Sequence, residues 1–183
     1  MYRGMRAAAV FALGVLACAP QPGPGDRTTR AQPTGDSLVA ALHAFGRSFG
    51  ESRGSIERQM GAPKRMQTEA LPNRHVAGAV DTAIALWYPD ALFGLLRSGA
   101  TGQEFLVGAE IWRTPLELPG GVRIGTTLRE WVESTLGAPL ETRADGDTTT
   151  LVYLWPPDGA EEAVRLRFVR DTLRAIGWGF YVD

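Results

Sequence analysis

The chain has 183 residues, of which 44% are hydrophobic and 21% are charged, and its formal net charge is −1. This apolar content is too high for a disordered chain, and the length suffices for one domain or two small ones. The near-neutral charge and the lack of a basic cluster argue against a nucleic-acid partner, because binding to phosphates needs a concentrated basic surface.

The N-terminal segment has the pattern of a secretory signal. Arg3 and Arg6 precede an apolar run, Ala7–Ala17, which is followed directly by Cys18. A short basic stretch, then about 7–15 apolar residues and then small residues is typical of such signals. The run is shorter than the ~20 residues that span a bilayer. We therefore predict that residues 1–17 are a signal peptide.

The residues around the cleavage point indicate a lipid anchor. Val15-Leu16-Ala17-Cys18 resembles a bacterial lipobox, which implies that Cys18 becomes a lipidated N-terminus in the cell envelope. Ala19 at the next position implies the outer membrane, facing the periplasm, where the enterobacterial sorting rule applies. The alternative is an ordinary signal peptide with an incidental cysteine. Residues 18–35 are rich in proline and poor in apolar side chains, which predicts a disordered tether.

Two helical segments are predicted at the start of the folded body. Apolar side chains recur at helical spacing between Asp36 and Phe49. A second, short helix can begin at Ser52 and end at Gly61, because a serine caps helices well and Pro63 prevents continuation.

A third short helix is predicted in the second half of the chain. Thr127 and Glu130 have the spacing of a capping box, in which each side chain bonds the other residue's backbone amide. Trp131 lies on the apolar face of this helix, and we expect it to be buried. Gly137 suits the left-handed position after the helix, and Pro139 ends it.

The two helix ends reveal an internal duplication. The stretches MGAPKR, from position 60, and LGAPLE, from position 136, are each followed by alternating apolar and polar runs typical of antiparallel strands. Residues 36–118 and 119–183 are thus predicted to be two tandem repeats. The predicted fold class is α+β, each repeat having a short helical segment followed by a three- or four-stranded antiparallel meander, with the helices on one face of the sheet.

The second repeat resembles a family of small outer-membrane lipoproteins, SmpA/OmlA, also called BamE-like. The resemblance is carried by Leu136-Gly137-Ala138-Pro139, Tyr153, Leu166-Arg167-Phe168 and Leu173-Arg174-Ala175-Ile176, which fall in the family's order. A tandem pair of such units resembles the β-lactamase inhibitory protein. The first resemblance implies a scaffold in outer-membrane assembly, and the second implies an inhibitor of an extracytoplasmic hydrolase.

The sequence contains no recognisable catalytic or metal-binding motif. His43 and His75 are the only histidines, and neither has a neighbouring cysteine or histidine to complete a metal site. A Gly-x-Ser-x-Gly elbow and a phosphate-binding loop are also missing from the sequence. We therefore predict a protein that is not an enzyme and needs no cofactor.

The duplication also predicts which residues lie on the face without helices. Asp81-Thr82 aligns with Asp147-Thr148, and Pro89-Asp90 with Pro157-Asp158; both spacings are even, which puts aligned residues on the same face. Aromatic side chains with arginine and little lysine are typical of a protein-binding surface. The alternative is that these rings are half-buried against loops or across the repeat junction. The predicted partner-binding residues are Trp87, Glu110, Trp112, Tyr153, Trp155, Arg165, Arg167 and Tyr181.

Overall fold

A computed structural model of the protein describes residues 35–73, 75–113, 118–155 and 162–180. The predicted signal peptide and the lipidation site at Cys18 lie outside these residues. The described elements, in chain order, are α1 (Gly35–Arg47), α2 (Arg53–Met60), β1 (Arg65–Pro72), β2 (Val80–Trp87), β3 (Ala91–Arg97), β4 (Glu104–Ile111), a 3₁₀ turn (Pro119–Gly121), α3 (Arg129–Leu136), β5 (Glu141–Asp145), β6 (Thr148–Trp155), β7 (Glu162–Val169) and β8 (Thr172–Gly179).

The strands form one antiparallel sheet in the order β1-β2-β3-β4-β8-β7-β6-β5. Strands β1 to β4 make one meander, β5 to β8 make the second, and β4 pairs with β8 at the centre. Gly108 is opposite Gly179 and Ile111 is opposite Ile176, so the two repeats share a continuous sheet. This arrangement confirms the predicted α+β fold of two helix-then-meander repeats.

The helices cover one face of the sheet and form the core with it. Each helix buries apolar side chains in the same cluster, such as Leu42 of α1, Ile56 of α2 and Val132 of α3. Trp178 of β8 lies at the centre of the cluster with 2% of its surface exposed. Its indole N–H donates a hydrogen bond to the carbonyl oxygen of Leu42 at 2.8 Å, which fixes α1 to the sheet. Within the described residues, no helix has the length and apolar character needed to cross a bilayer.

The two short helices begin differently. Ser52 caps α2, accepting from the Ser55 amide while the Ser55 hydroxyl accepts from the Ser52 amide. The capping box predicted for α3 is wrong, because the Thr127 hydroxyl accepts instead from the amide of Arg123 at 2.8 Å. The start of β8 explains this difference, since the amide of Leu173 donates to the Thr127 carbonyl and holds the segment in place.

The glycines that end α2 and α3 have nearly the same backbone conformation. Gly61 has φ 76° and ψ −168°, and Gly137 has φ 78° and ψ −163°. The positive φ was predicted, but ψ is extended rather than left-handed helical. A tyrosine hydroxyl donates to each glycine carbonyl, from Tyr88 to Gly61 at 3.1 Å and from Tyr153 to Gly137 at 3.3 Å. The repeats therefore share a Tyr–Gly hydrogen bond as well as a helix end.

This hydrogen bond corrects the alignment of the repeats. Tyr88 corresponds to Tyr153, so the true spacing between the repeats in this strand is odd, whereas the predicted spacings were even. A one-residue shift moves every side chain of a strand to the other face. The predicted position of Tyr153 and Trp155 on the open face is thus wrong, because both contact the core beneath the helices.

Candidate functional site

The sheet face turned away from the helices carries a groove of about 450 Å³ that crosses six strands from β2 to β6. Most of its lining residues alternate along the strands with core residues and so belong to the open face, whereas Ala109 and Trp178 are themselves core residues. It is lined by Ala85, Leu92, Gly94, Val107, Gly108, Ala109, Glu110, Thr150, Arg165, Arg167, Ala175, Gly177 and Trp178.

Three of the residues that line the groove are glycines on neighbouring strands, and they form its floor. Gly94 lies opposite Gly108, Gly108 lies opposite Gly179, and Gly177 lies between Glu110 and Arg165 in the next row. Neighbouring glycines on three adjacent strands leave this part of the sheet without side chains of its own, and the Arg165 guanidinium reaches over it at Gly179.

The backbone does not require glycine at two of these positions. Gly94 and Gly177 have no positive φ, and a Cβ there would meet its nearest atom at 3.5 Å, an ordinary contact. Glycine inside a strand nevertheless weakens it and often marks the close approach of a ligand or another backbone. We infer that these two glycines keep the space above the floor open.

The charges of the groove are concentrated on one side. Arg167 forms an ion pair with Glu110 at 2.6 Å, and their side chains are 46% and 37% exposed. The Arg165 guanidinium lies over Gly179, 2.8 Å from the point where a Cβ would stand. Among the described residues Arg165 has no ion-pair partner. The groove thus carries one uncompensated positive charge.

The tryptophans of the first repeat lie near one end of the groove. Trp87 is 36% exposed and lies opposite Leu92, with the Arg65 guanidinium 5.6 Å from its ring centre. Trp112 is half-buried, and its indole N–H donates to the carbonyl of Pro89 at 3.0 Å.

The remaining predicted residues lie elsewhere. Tyr153 is 5% exposed within the core. The ring of Trp155 packs 6.3 Å from that of His43 on α1. Tyr181 lies outside the described residues. The structure thus brings Glu110, Arg165 and Arg167 together in the groove and places Trp87 beside it, but it separates Tyr153 and Trp155 from them.

A polar cluster outside the groove joins α1 to β7. Glu162 of β7 bonds both His43 and Arg47 of α1, and the Arg47 guanidinium lies 4.4 Å from the ring centre of Phe180. This cluster fixes α1 to the edge of the core. Among the described residues, no three His, Cys, Asp or Glu side chains are arranged to hold a metal ion.

The buried Tyr153 should make the free energy of unfolding fall at alkaline pH. Burial of the phenol is the larger cause and the negative charge of Glu133 the smaller one, and together they raise the pKa of Tyr153 to about 12. The unfolded chain ionises this phenol near pH 10, so stability falls as the pH rises from about 10 to about 12. With ~1.4 kcal/mol for each pKa unit, the loss is about 2–3 kcal/mol. Urea unfolding measured from pH 8 to pH 12 should show this loss, and Tyr153→Phe should reduce it.

A smaller effect of the same substitution is expected at neutral pH. Tyr153→Phe removes one partly buried hydrogen bond to Gly137, which should lower the free energy of unfolding by about 0.5–1.5 kcal/mol. An unchanged slope of stability against pH in this variant would show that Tyr153 is not the responsible group.

Comparisons with known proteins identify structural likenesses but no family. No family model and no curated protein matches the chain. A DUF4309 family protein (YjgB) from Bacillus subtilis is similar over 80% of this chain and 97% of its own, at 13% identity and a TM-score of 0.45. A putative beta-lactamase inhibitor protein from Streptococcus mutans is similar over 70% of this chain and 82% of its own, at 13% identity and a TM-score of 0.25.

A TM-score of 0.25 neither supports nor excludes the resemblance to the β-lactamase inhibitory protein, which stays a prediction. The resemblance to the SmpA/OmlA family finds no support. At these scores neither likeness assigns a function.

Proposed function

We propose that the protein is a non-catalytic lipoprotein of the cell envelope that binds a protein partner through the open face of its sheet. The glycine floor of the groove carries this proposal. At Gly94 and Gly177 the fold has room for a side chain, and glycine there weakens the strands. The close approach of a bound polypeptide to the floor would explain why both positions are glycine, because a side chain there would occupy the space that the polypeptide needs.

The width of the groove favours a protein over a small molecule. It crosses six strands, and five spacings of ~4.8 Å give a width of about 24 Å. The exposed Trp87 and the arginines of the groove are residue types that are enriched where proteins bind each other. Trp87 adds an amphipathic ring at one end, and Arg165 adds a charge on β7, toward the other end.

Two roles are proposed for such a partner-binding face. The first is that of a scaffold in outer-membrane assembly, and the second is inhibition of an extracytoplasmic hydrolase. The recessed floor favours the second role in one respect, since a groove receives a protruding segment of a partner better than a flat surface does. The identity of the captured partner distinguishes the two roles.

Site-specific photo-crosslinking in the producing cells tests the binding face. A photoreactive phenylalanine at Leu92, in the groove, is expected to capture a partner, whereas the same group at Ser134, exposed on α3, is not. Gly177→Leu fills the floor and should reduce the capture at Leu92 at least tenfold while the protein stays folded. Capture from Ser134 alone would contradict the proposal.

Trp87 is expected to contribute directly to partner affinity. Trp87→Ala should weaken binding of the captured partner by about 2 kcal/mol or more, the range for an aromatic hot spot, and alter folding little because the ring is 36% exposed and lies outside the core cluster. Titration calorimetry with the purified partner measures the first effect and urea unfolding the second. Unchanged affinity would remove Trp87 from the interface.

The proposed anchor is tested separately. Cys18→Ser should abolish labelling of the protein with a radioactive or alkyne-tagged fatty acid and should leave an uncleaved or released protein, since the lipid is attached to the cysteine sulfur. A lipoprotein with an unchanged cysteine is the matched control for labelling efficiency. Label that persists in the variant would contradict the lipoprotein proposal.

A further inference from the structure

We propose that the partner enters the groove with a loop that carries a carboxylate, and that this Asp or Glu side chain pairs with Arg165. This inference rests on the proposed function. Arg165 lines the groove, is exposed, and has no ion-pair partner among the described residues. It therefore offers a planar, permanently charged donor, which matches the two oxygens of a carboxylate.

The acidic residue of the groove does not compensate this charge. Glu110 is already bound by Arg167, whose Nη2 lies 2.6 Å from its Oε1. The described groove contains two arginines and one carboxylate, so an acidic segment gains attraction there and a basic segment meets repulsion. Charge complementarity thus selects an acidic partner loop.

The position of Arg165 explains why the carboxylate should lie on a loop. Arg165 is directly opposite Gly177, one of the two floor glycines that the fold does not need. A partner backbone that approaches Gly177 places a short acidic side chain within reach of the guanidinium. Strands β3, β4 and β8 are already paired on both sides, so an extended partner segment cannot add to them as a further strand, and a turn is the segment that suits this floor.

A single-lysine protein makes this contact measurable. Lys64 is the only lysine of the chain, so Lys64→Arg followed by Arg165→Lys leaves one side-chain amine, which keeps the positive charge in the groove. A carbodiimide joins a partner carboxylate to that amine as an amide, and the water lost converts the reagent to a urea. The control is Lys64→Arg with Arg174→Lys, because Arg174 is exposed on the same strand as Gly177 but does not line the groove.

The experiment uses the full-length protein in detergent-solubilised membranes of its own cells, and the photoreactive group at Leu92 captures the partner independently. We expect an amide between position 165 and an Asp or Glu in a loop of that same partner, with at least ten times the yield of the Arg174→Lys control. Arg165→Glu should also lower the Leu92 photo-crosslink at least tenfold.

Several results would overturn this inference. A partner captured at Leu92 without an amide at position 165 leaves the binding face in place but removes the carboxylate contact. An amide to a second copy of this chain, or to a small acid, replaces the partner loop with another occupant. If Leu92 captures no protein at all, the proposed function fails as well.

Discussion

Replacing Trp178 with alanine is expected to lower the free energy of unfolding by about 3–5 kcal/mol, the range for a large aromatic side chain removed from a core. Trp178 is 2% exposed and packs between α1 and the sheet. The substitution also leaves the Leu42 carbonyl without the indole donor that lies 2.8 Å away. Since small domains are stable by only about 5–15 kcal/mol, this loss is a large part of the total.

Trp131 is the matched control for this prediction. The sequence pattern predicts that Trp131 is buried, but the structure leaves it only partly buried against the core. Trp131→Ala should therefore cost clearly less, about 1–2 kcal/mol from the apolar area that it does cover. Urea unfolding of both variants measures the difference. Equal losses would show that Trp178 contributes no more to the free energy of unfolding than the partly buried Trp131 does.

The close approach of α1 to Trp178 offers a second measurement. A Cβ on Gly46 would lie 2.5 Å from the indole, so Gly46→Ala forces either the ring or the helix to move. The substitution should destabilise the wild-type protein and cost less in a Trp178→Phe background, where the smaller ring leaves room. This comparison stays informative if Trp178→Ala does not fold. Equal costs of Gly46→Ala in both backgrounds would contradict the packing described.

The helix ends were predictable from sequence because their causes are local. Glycine followed two residues later by proline stops a helix in any fold, and Gly61 and Gly137 both have the expected positive φ. Alternating strands after each stop then sufficed to predict two meanders. Ser52 capped α2 as expected because its partner, Ser55, is also local.

The faces of the sheet were harder to predict because they depend on contacts between distant residues. The odd correspondence of Tyr88 with Tyr153 follows from hydrogen bonds to Gly61 and Gly137, which no strand pattern reveals. The start of α3 was hard to predict for the same reason, because the amide of Leu173 in β8, distant in sequence, donates to the Thr127 carbonyl.

The groove itself could be predicted only in part. The shared face of Glu110, Arg165 and Arg167 was predictable because the alternation of side chains along β4 and along β7 is a local property of each strand. The glycine floor depends instead on the register between β3, β4 and β8, including a shift after Gly94. Only the paired strands show that Gly94, Gly108 and Gly179 lie in one row.

Gly137→Val should lower the free energy of unfolding by about 1–3 kcal/mol, the cost of holding a residue with a side chain in a backbone region that is essentially restricted to glycine. Gly137 has φ 78° and ψ −163°, and a Cβ there would meet no atom within 4 Å, so the penalty is backbone strain and not a clash. Ala138→Val, at the exposed next position, is the control and should have little effect.

Gly61→Val should behave in the same way, because Gly61 has φ 76° and ψ −168° and its Cβ position is equally open. The two glycines belong to different repeats and share no partner, so the double variant should lose the sum of both penalties within about 0.5 kcal/mol. Chemical unfolding of the three variants measures these values. A loss below about 0.5 kcal/mol at either glycine would mean that the chain leaves the helix there by another conformation, and unequal losses would mean that the two helix ends are not equivalent. Equal and additive losses would show that the Gly-Ala-Pro stop is a repeated structural unit. In each repeat the carbonyl of its glycine accepts a hydrogen bond from a tyrosine hydroxyl.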